Sequence, residues 1–232
     1  MKLKQNRTRT RAAFTLIEMI GVLAVIAILA ALLIPKVFAA INSAKISNTS
    51  TSINTIKTAA IDHYAKFGTL AVDGSGATPQ ALVLTSDPTS NPGNNYDSIL
   101  LKEGFIDKLF QVKIGDGTIG ATTTRIQLVP AVDQEDVGGT MVDTAPNGTN
   151  PAYNLDGDAT TGVNNAKGTY VLEAVITGVA LADARDLNRV IDGTATALGE
   201  PAGGGDDFAG RVKYAAPAAG ALAEVHVYLT HR

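Results

Sequence analysis

From Met19 to Ile34 the chain runs sixteen residues without a charge or a strongly polar group, "MIGVLAVIAILAALLI". Phe14 to Ile17 carry the apolar character to the other side of a single carboxylate, Glu18. A helix of roughly 20 apolar residues crosses the hydrocarbon core of a bilayer, so Phe14 to Ile34 is long enough to span one. The leader before it holds Lys2, Lys4, Arg7, Arg9 and Arg11 and no acid. Basic residues stay cytoplasmic, which orients the span and exports everything after Pro35. A competing reading is an ordinary secretory signal with small residues for cleavage at Val37 to Ala40, "VFAA". Lys36 immediately before that motif, and Glu18 inside the apolar region, argue against it.

Glu18 is the informative residue. An ionisable group inside a membrane segment costs about 2 to 3 kcal/mol even on the lenient insertion scale, and that cost calls for a partner. The alternative is an interfacial acid that snorkels to the headgroups and has no role.

The stretch "AFTLIEMIGVLAVIAILAALLIP", Ala13 to Pro35, closely resembles the amino terminus of type IV pilins and type II secretion pseudopilins. It has the basic leader, a cut before Phe, "FTLIE", and an apolar helix with a proline near its far end. The resemblance covers about residues 7 to 67. It implies that a membrane-embedded prepilin peptidase cleaves between Ala13 and Phe14 and that the new terminus at Phe14 is N-methylated. The family usually has glycine before the cut; alanine is the smallest departure from it. The resemblance further implies that Glu18 faces the positive amino terminus of a neighbouring subunit in a filament core, where an opposite charge offsets the penalty of burial. At Pro35, which removes a helix hydrogen bond, it implies a place where subunits extend on assembly. Implied partners are further copies of the chain, other pilins or pseudopilins, the peptidase and an inner-membrane assembly platform. The precursor would be a single-pass inner-membrane protein, and the assembled filament periplasmic or extracellular. Gly21, Ala24, Ala27 and Ala31 put small side chains along one helix face, which reads either as a surface other helices can approach closely or as the ordinary abundance of alanine in helices.

Beyond Pro35, apolar residues at Ile53, Ile56, Ala60, Tyr64 and Phe67 keep helical spacing, and Gly68 supplies a stop. One long helix over 14–67 is expected, with a leader over 1–13 and an exported head over 68–232. The weak point of the helix is "SNTSTS", Ser47 to Ser52. Gly68 to Asn95 reads as a long loop with a turn of helix near Pro79 to Leu84, and "YDSILLKEG" as a short helix ending in a turn. Strands are expected at Thr124–Pro130, Thr169–Thr177, Arg211–Ala216 and Ala223–Thr230. In the last, Val225, Val227 and Leu229 form a buried face against a wet face of Glu224, His226 and Tyr228. "LADARDLNRVID" places Ala184, Leu187, Val190 and Ile191 on one face of a surface helix. The fold class is α+β: a long transmembrane and amphipathic helix packed on a small, mostly antiparallel sheet head, pilin-like.

Little in the head points to chemistry. The chain has no cysteine, which removes disulfides, thiolate metal sites and cysteine nucleophiles. After the leader, 14 basic face 22 acidic side chains, a balance of −8 that argues against a nucleic-acid surface. His63, His226 and His231 show no metal or triad spacing. Asn154, Asp156 and Asp158 alternate as calcium ligands do, and calcium is the one cofactor suggested. The twelve-residue pattern fails at Ala159 and Asn165, so a plain polar turn competes. "DQED" and "GGGDD" read as solvated loop charges. The expected function is a structural filament subunit rather than an enzyme. The alternatives are a minor tip adhesin and a membrane-anchored periplasmic binding module that uses the same export signal.

Overall fold

A computed structural model describes residues 15–84, 95–115, 124–131, 134–137, 140–143, 152–153, 155, 170–193, 205–217 and 221–232. The chain divides into two compact units, Met1–Asn42 and Ser43–Arg232. One helix, α1 (Leu16–Phe67), supplies the described part of the first unit and opens the second, and it is helical on both sides of Pro35.

In the first unit the apolar side chains of α1 are exposed, from Leu16 to Ile41. In the second unit α1 changes character. Ile46, Thr49, Ile53, Ile56, Ala59, Ala60 and His63 are buried at helical spacing. The "SNTSTS" stretch stays helical because its hydroxyls turn back onto the helix: Thr49 Oγ1 donates to the Lys45 carbonyl at 3.0 Å and Thr51 Oγ1 to that of Ser47 at 2.9 Å. Gly68, at φ 72°, ends the helix with its N–H on the Tyr64 carbonyl at 2.8 Å.

The loop expected after Gly68 contains a hairpin, β1 (Val72–Asp73) with β2 (Gln80–Ala81). The turn of helix expected near Pro79 to Leu84 is instead a short strand at Gln80–Ala81, because its backbone pairs with β1, Ala81 opposite Val72 and Gln80 opposite Asp73, and the Leu82 N–H continues onto the Ala71 carbonyl at 3.0 Å. Helix α2 (Tyr96–Lys102) ends in the expected turn, in which the Phe105 N–H reaches the Leu100 carbonyl and the Gly104 N–H that of Leu101. This is a Schellman motif, and the left-handed residue it requires is Gly104, at φ 80°.

Four antiparallel strands form the main sheet in the order β3-β6-β8-β7, with β3 at Arg125–Pro130, β6 at Tyr170–Val179, β7 at Val212–Tyr214 and β8 at Ala223–His231. The strand expected at Arg211–Ala216 is only three residues long, with Pro217 close behind. A further hairpin, β4 (Gln134–Val137) with β5 (Thr140–Asp143), forms where "DQED" read as loop; Gly138-Gly139 between the two strands was the overlooked turn signal. Helix α3 (Leu181–Ile191) buries Ala184 and Leu187 as expected, but Val190 is 56% exposed. Val190 lies three residues past Leu187, at the rim of the stripe.

One core joins Ile53 and Ile56 of α1, Leu100 of α2, Leu187 of α3 and the inward residues of the sheet, among them Leu128, Leu172, Ile176, Val225 and Val227. The opposite sheet face is not wet, as alternation in β8 suggested. His226 on it is 1% exposed, Glu173 1% and Lys213 0%; only Glu224 remains open. Nor is "GGGDD" wholly solvated: Asp207 is buried and accepts a hydrogen bond from Asn188 of α3.

Candidate functional site

The amino-terminal site is built on the first turn of α1. Glu18 Oε2 accepts from the Thr15 backbone N–H at 2.8 Å and from Thr15 Oγ1 at 2.7 Å, while the Glu18 N–H reaches back to Thr15 Oγ1 at 3.3 Å. This reciprocal arrangement is a capping box, with Thr15 at the N-cap and Glu18 three residues on. Its signature, T-x-x-E before an apolar run, stands in the sequence as "TLIE". The carboxylate satisfies a backbone donor that a helix start otherwise leaves open.

Beyond the cap, an 18-residue window of α1 reaches a mean hydropathy of 2.8 with none of it buried. Length and apolarity suffice to cross a membrane. A Cβ placed on Gly21 would meet no neighbouring atom, so this face is open for another helix to approach. Pro35 is exposed within α1. Ala13 and Phe14, the expected cleavage and methylation positions, lie outside the described residues, as do Asn154, Asp156 and Asp158. Among the described residues no group of three or more His, Asp and Glu side chains is placed to hold a metal ion.

Among the described residues of the head, two buried polar assemblies hold a histidine against a carboxylate. In the first, His63 Nδ1 of α1 meets Glu103 Oε2 just past α2 at 2.6 Å, with both side chains fully buried. Glu103 Oε1 accepts from the Gly74 N–H at 2.6 Å. Phe67, Tyr96 and Phe105 pack their rings around the imidazole. One carboxylate thus ties α1, α2 and the β1 hairpin together. A Cβ at 74 would lie 2.1 Å from Phe67 Cζ, so any other residue there requires that ring to shift.

The second assembly covers the outer face of the sheet. Glu173 accepts from Gln127 on one oxygen and from the Tyr153 hydroxyl on the other, and His226 Nδ1 lies 3.2 Å from that second oxygen. His226 Nε2 is 3.3 Å from Glu224, which also faces Arg125 at 3.6 Å. Lys213 Nζ donates to the Ala152 carbonyl at 3.0 Å and sits 4.2 Å above the Tyr153 ring. Burial alone would raise the Glu173 carboxyl; the charges of His226 and Lys213 and the bond from Tyr153 outweigh it and hold it down to about 2. Burial brings Lys213 down to about 8 against the pull of Glu173. For His226 burial works downward, but the two carboxylates prevail and raise it. Alternation in β8 placed His226 on a solvent face, and nothing in the strand patterns singled out Glu173 or Lys213; the missed signal was a lone acid in "YVLEAVIT" and a lone base in "VKY", opposite charges stranded in apolar strands.

Residues 8–34 match the family model described as the prokaryotic N-terminal methylation motif. This is the prepilin-type signal of type IV pilins and pseudopilins, and the match spans the end of the leader and the apolar part of α1 and none of the head. The motif marks the chain as a pilin-like or pseudopilin precursor that prepilin peptidase processes, and its apolar helix fits an inner-membrane anchor. No curated protein and no solved structure matches the chain.

Proposed function

We propose that this protein is a structural subunit, a pilin or pseudopilin, of a type IV pilus-like or type II secretion filament. In this reading the leader is removed between Ala13 and Phe14, Phe14 is N-methylated, and subunits join through α1. The observation that carries the reading is the apolar surface of α1 from Leu16 to Ile41, whose large side chains are 45 to 77% exposed. A band of that size needs a bilayer, or neighbouring helices that replace it. The methylation motif at one end of the band and the single carboxylate within it fit a helix that passes from the first environment to the second. The head, anchored on a compact core, would form the filament surface.

The test is expression with and without the prepilin peptidase. The amino-terminal peptide should begin at methylated Phe14 only when the peptidase is present, and filaments should be visible by electron microscopy only then. A mature start at Ala40 would establish a secretory signal instead. Correct processing without filaments would leave a membrane-anchored module.

A further inference from the structure

We propose that His226 is the pH-sensitive bolt of a latch that holds the Ala152–Tyr153 segment against the outer face of the sheet, closed while the ring is cationic. This goes beyond the filament reading and does not depend on it.

The latch has two clasps on consecutive residues. Tyr153 donates its hydroxyl to Glu173 of β6, and the Ala152 carbonyl accepts from Lys213 of β7. Behind the clasps, Tyr153 packs with Val171, and Leu155 packs against that pair. The Glu173 clasp works only while the carboxylate keeps its charge in a site closed to water, and a buried charge persists only with counter-charge at hand. His226 is that counter-charge. Its ring lies between two carboxylates, Glu173 from β6 at 3.2 Å and Glu224 from β8 at 3.3 Å. The other charged or titratable groups facing this site are Lys213 from β7, Arg125 from β3, the Tyr153 phenol, which burial raises well above its ordinary value, and Tyr228 of β8, whose ring lies 5.4 Å from that of Tyr153 and whose hydroxyl meets His231. Arg125 is engaged at the rim by Glu224 and by Gln127, 2.8 Å from its Nε. When His226 loses its proton, both carboxylates lose their shared cation, and water entering beneath Tyr153 becomes the cheaper solvation.

The direction follows from linkage. His226 is raised above 6.5 in the closed state, so its contribution is complete below 6.5 and disappears as pH rises through the raised value. Lys213 acts with the opposite sign. Its closed-state value of about 8 lies below the ordinary 10.5, so closure recovers between those two. Opening therefore grows as His226 loses its proton above 6.5, and the Lys213 contribution reverses it above about 8.

The chain has no native cysteine, so a single introduced thiol reports the latch cleanly. In the full chain in detergent micelles, Leu155→Cys is reacted with a maleimide from pH 6 to 9, and its rate is divided by that of the exposed reference Ser75→Cys at the same pH. The ratio should rise severalfold from pH 6 as the histidine loses its proton, and then level or fall. In His226→Gln the ratio should be independent of pH. A flat ratio in the parent, or a step that survives in His226→Gln, overturns the latch. Should that variant not fold, ring NMR of the parent decides: His226 titrating above 6.5 supports the latch, and a midpoint at or below 6.5 overturns it.

Discussion

Thr15 and Glu18 close on each other across the first turn of α1, with two hydrogen bonds of 2.8 and 2.7 Å converging on one carboxylate oxygen. The acid that looks costly in a membrane segment thus has a partner within its own chain. A capped carboxylate near a helix start is stabilised by the backbone donor and by the positive end of the helix dipole. The proposed assembly gives Glu18 a second role, toward the amino terminus of a neighbour, and the two roles make different demands on the side chain.

Glu18→Gln separates them. Glutamine at this position still completes a capping box, but it carries no charge to offset a neighbour's amine in a low-dielectric core. Leader removal should persist, since the change lies beyond the scissile bond, and membrane insertion should become easier. Filament yield by electron microscopy should fall at least tenfold. Normal yield would leave Glu18 with the cap as its only role.

Thr15→Ala is the converse. It removes the capping hydroxyl, at a cost of about 1 kcal/mol in helix stability, and keeps the charge. Amide exchange over the first turn of α1 should accelerate severalfold while filaments still form. Loss of filaments as complete as in Glu18→Gln would show that the cap, rather than the charge, carries assembly.

Periodicity made much of this fold legible in advance. The spacing from Ile53 to Phe67, the stop at Gly68, the apolar runs of β3 and β6 and the alternation of β8 are local signals, and each element formed where they pointed. The outer-face cluster depends on register, which is not local. Gln127 stands opposite Glu173, and Lys213 opposite His226, only because of how three strands pair. An irregularity between Leu172 and Glu173 shifts β8 along β6 as well. Alternation can say that Glu173 and His226 leave the core face, but not that they meet. The same holds for Glu103, forty residues from His63, and for two-residue strands such as β1 and β2, which have no periodicity to read.

Residues 40–232, expressed without the apolar segment, should be soluble and monomeric. The second compact unit has its own continuous core from Ile46 to Leu229, and the removed part contributes none of the buried residues of α1. Analytical ultracentrifugation should give a single species at monomer mass. Self-association of this fragment into filaments would place assembly in the head.

Glu103→Ala should be among the most damaging single changes to the head. It leaves buried His63 without its carboxylate and the Gly74 N–H without an acceptor. A buried hydrogen-bonding group left without its partner costs about 1 to 3 kcal/mol. The denaturation midpoint should drop accordingly, and Glu103→Gln, which keeps an acceptor for Gly74, should recover part of the loss. An unchanged midpoint would mean that the junction of α1, α2 and β1 is held by ring packing alone.

The pH profile of the Glu173→Gln stability deficit tests the outer-face charges as a set. Glu173 falls from its ordinary 4.5 to about 2 in the folded head, so its contribution is complete above 4.5 and is lost as pH drops through that interval. On the alkaline side its cationic partners give way. His226 loses its proton at a value raised above 6.5, and Lys213 near 8. Asp97 and Asp192, both raised by burial, titrate alike in parent and variant and cancel in the difference. The gap in melting temperature between parent and Glu173→Gln should therefore be widest between pH 4.5 and 6.5 and should narrow on both sides. Circular dichroism melts at half-unit pH steps measure it. A gap that is constant with pH would mean that the glutamine costs packing and hydrogen bonds only, with no charge at stake on that face.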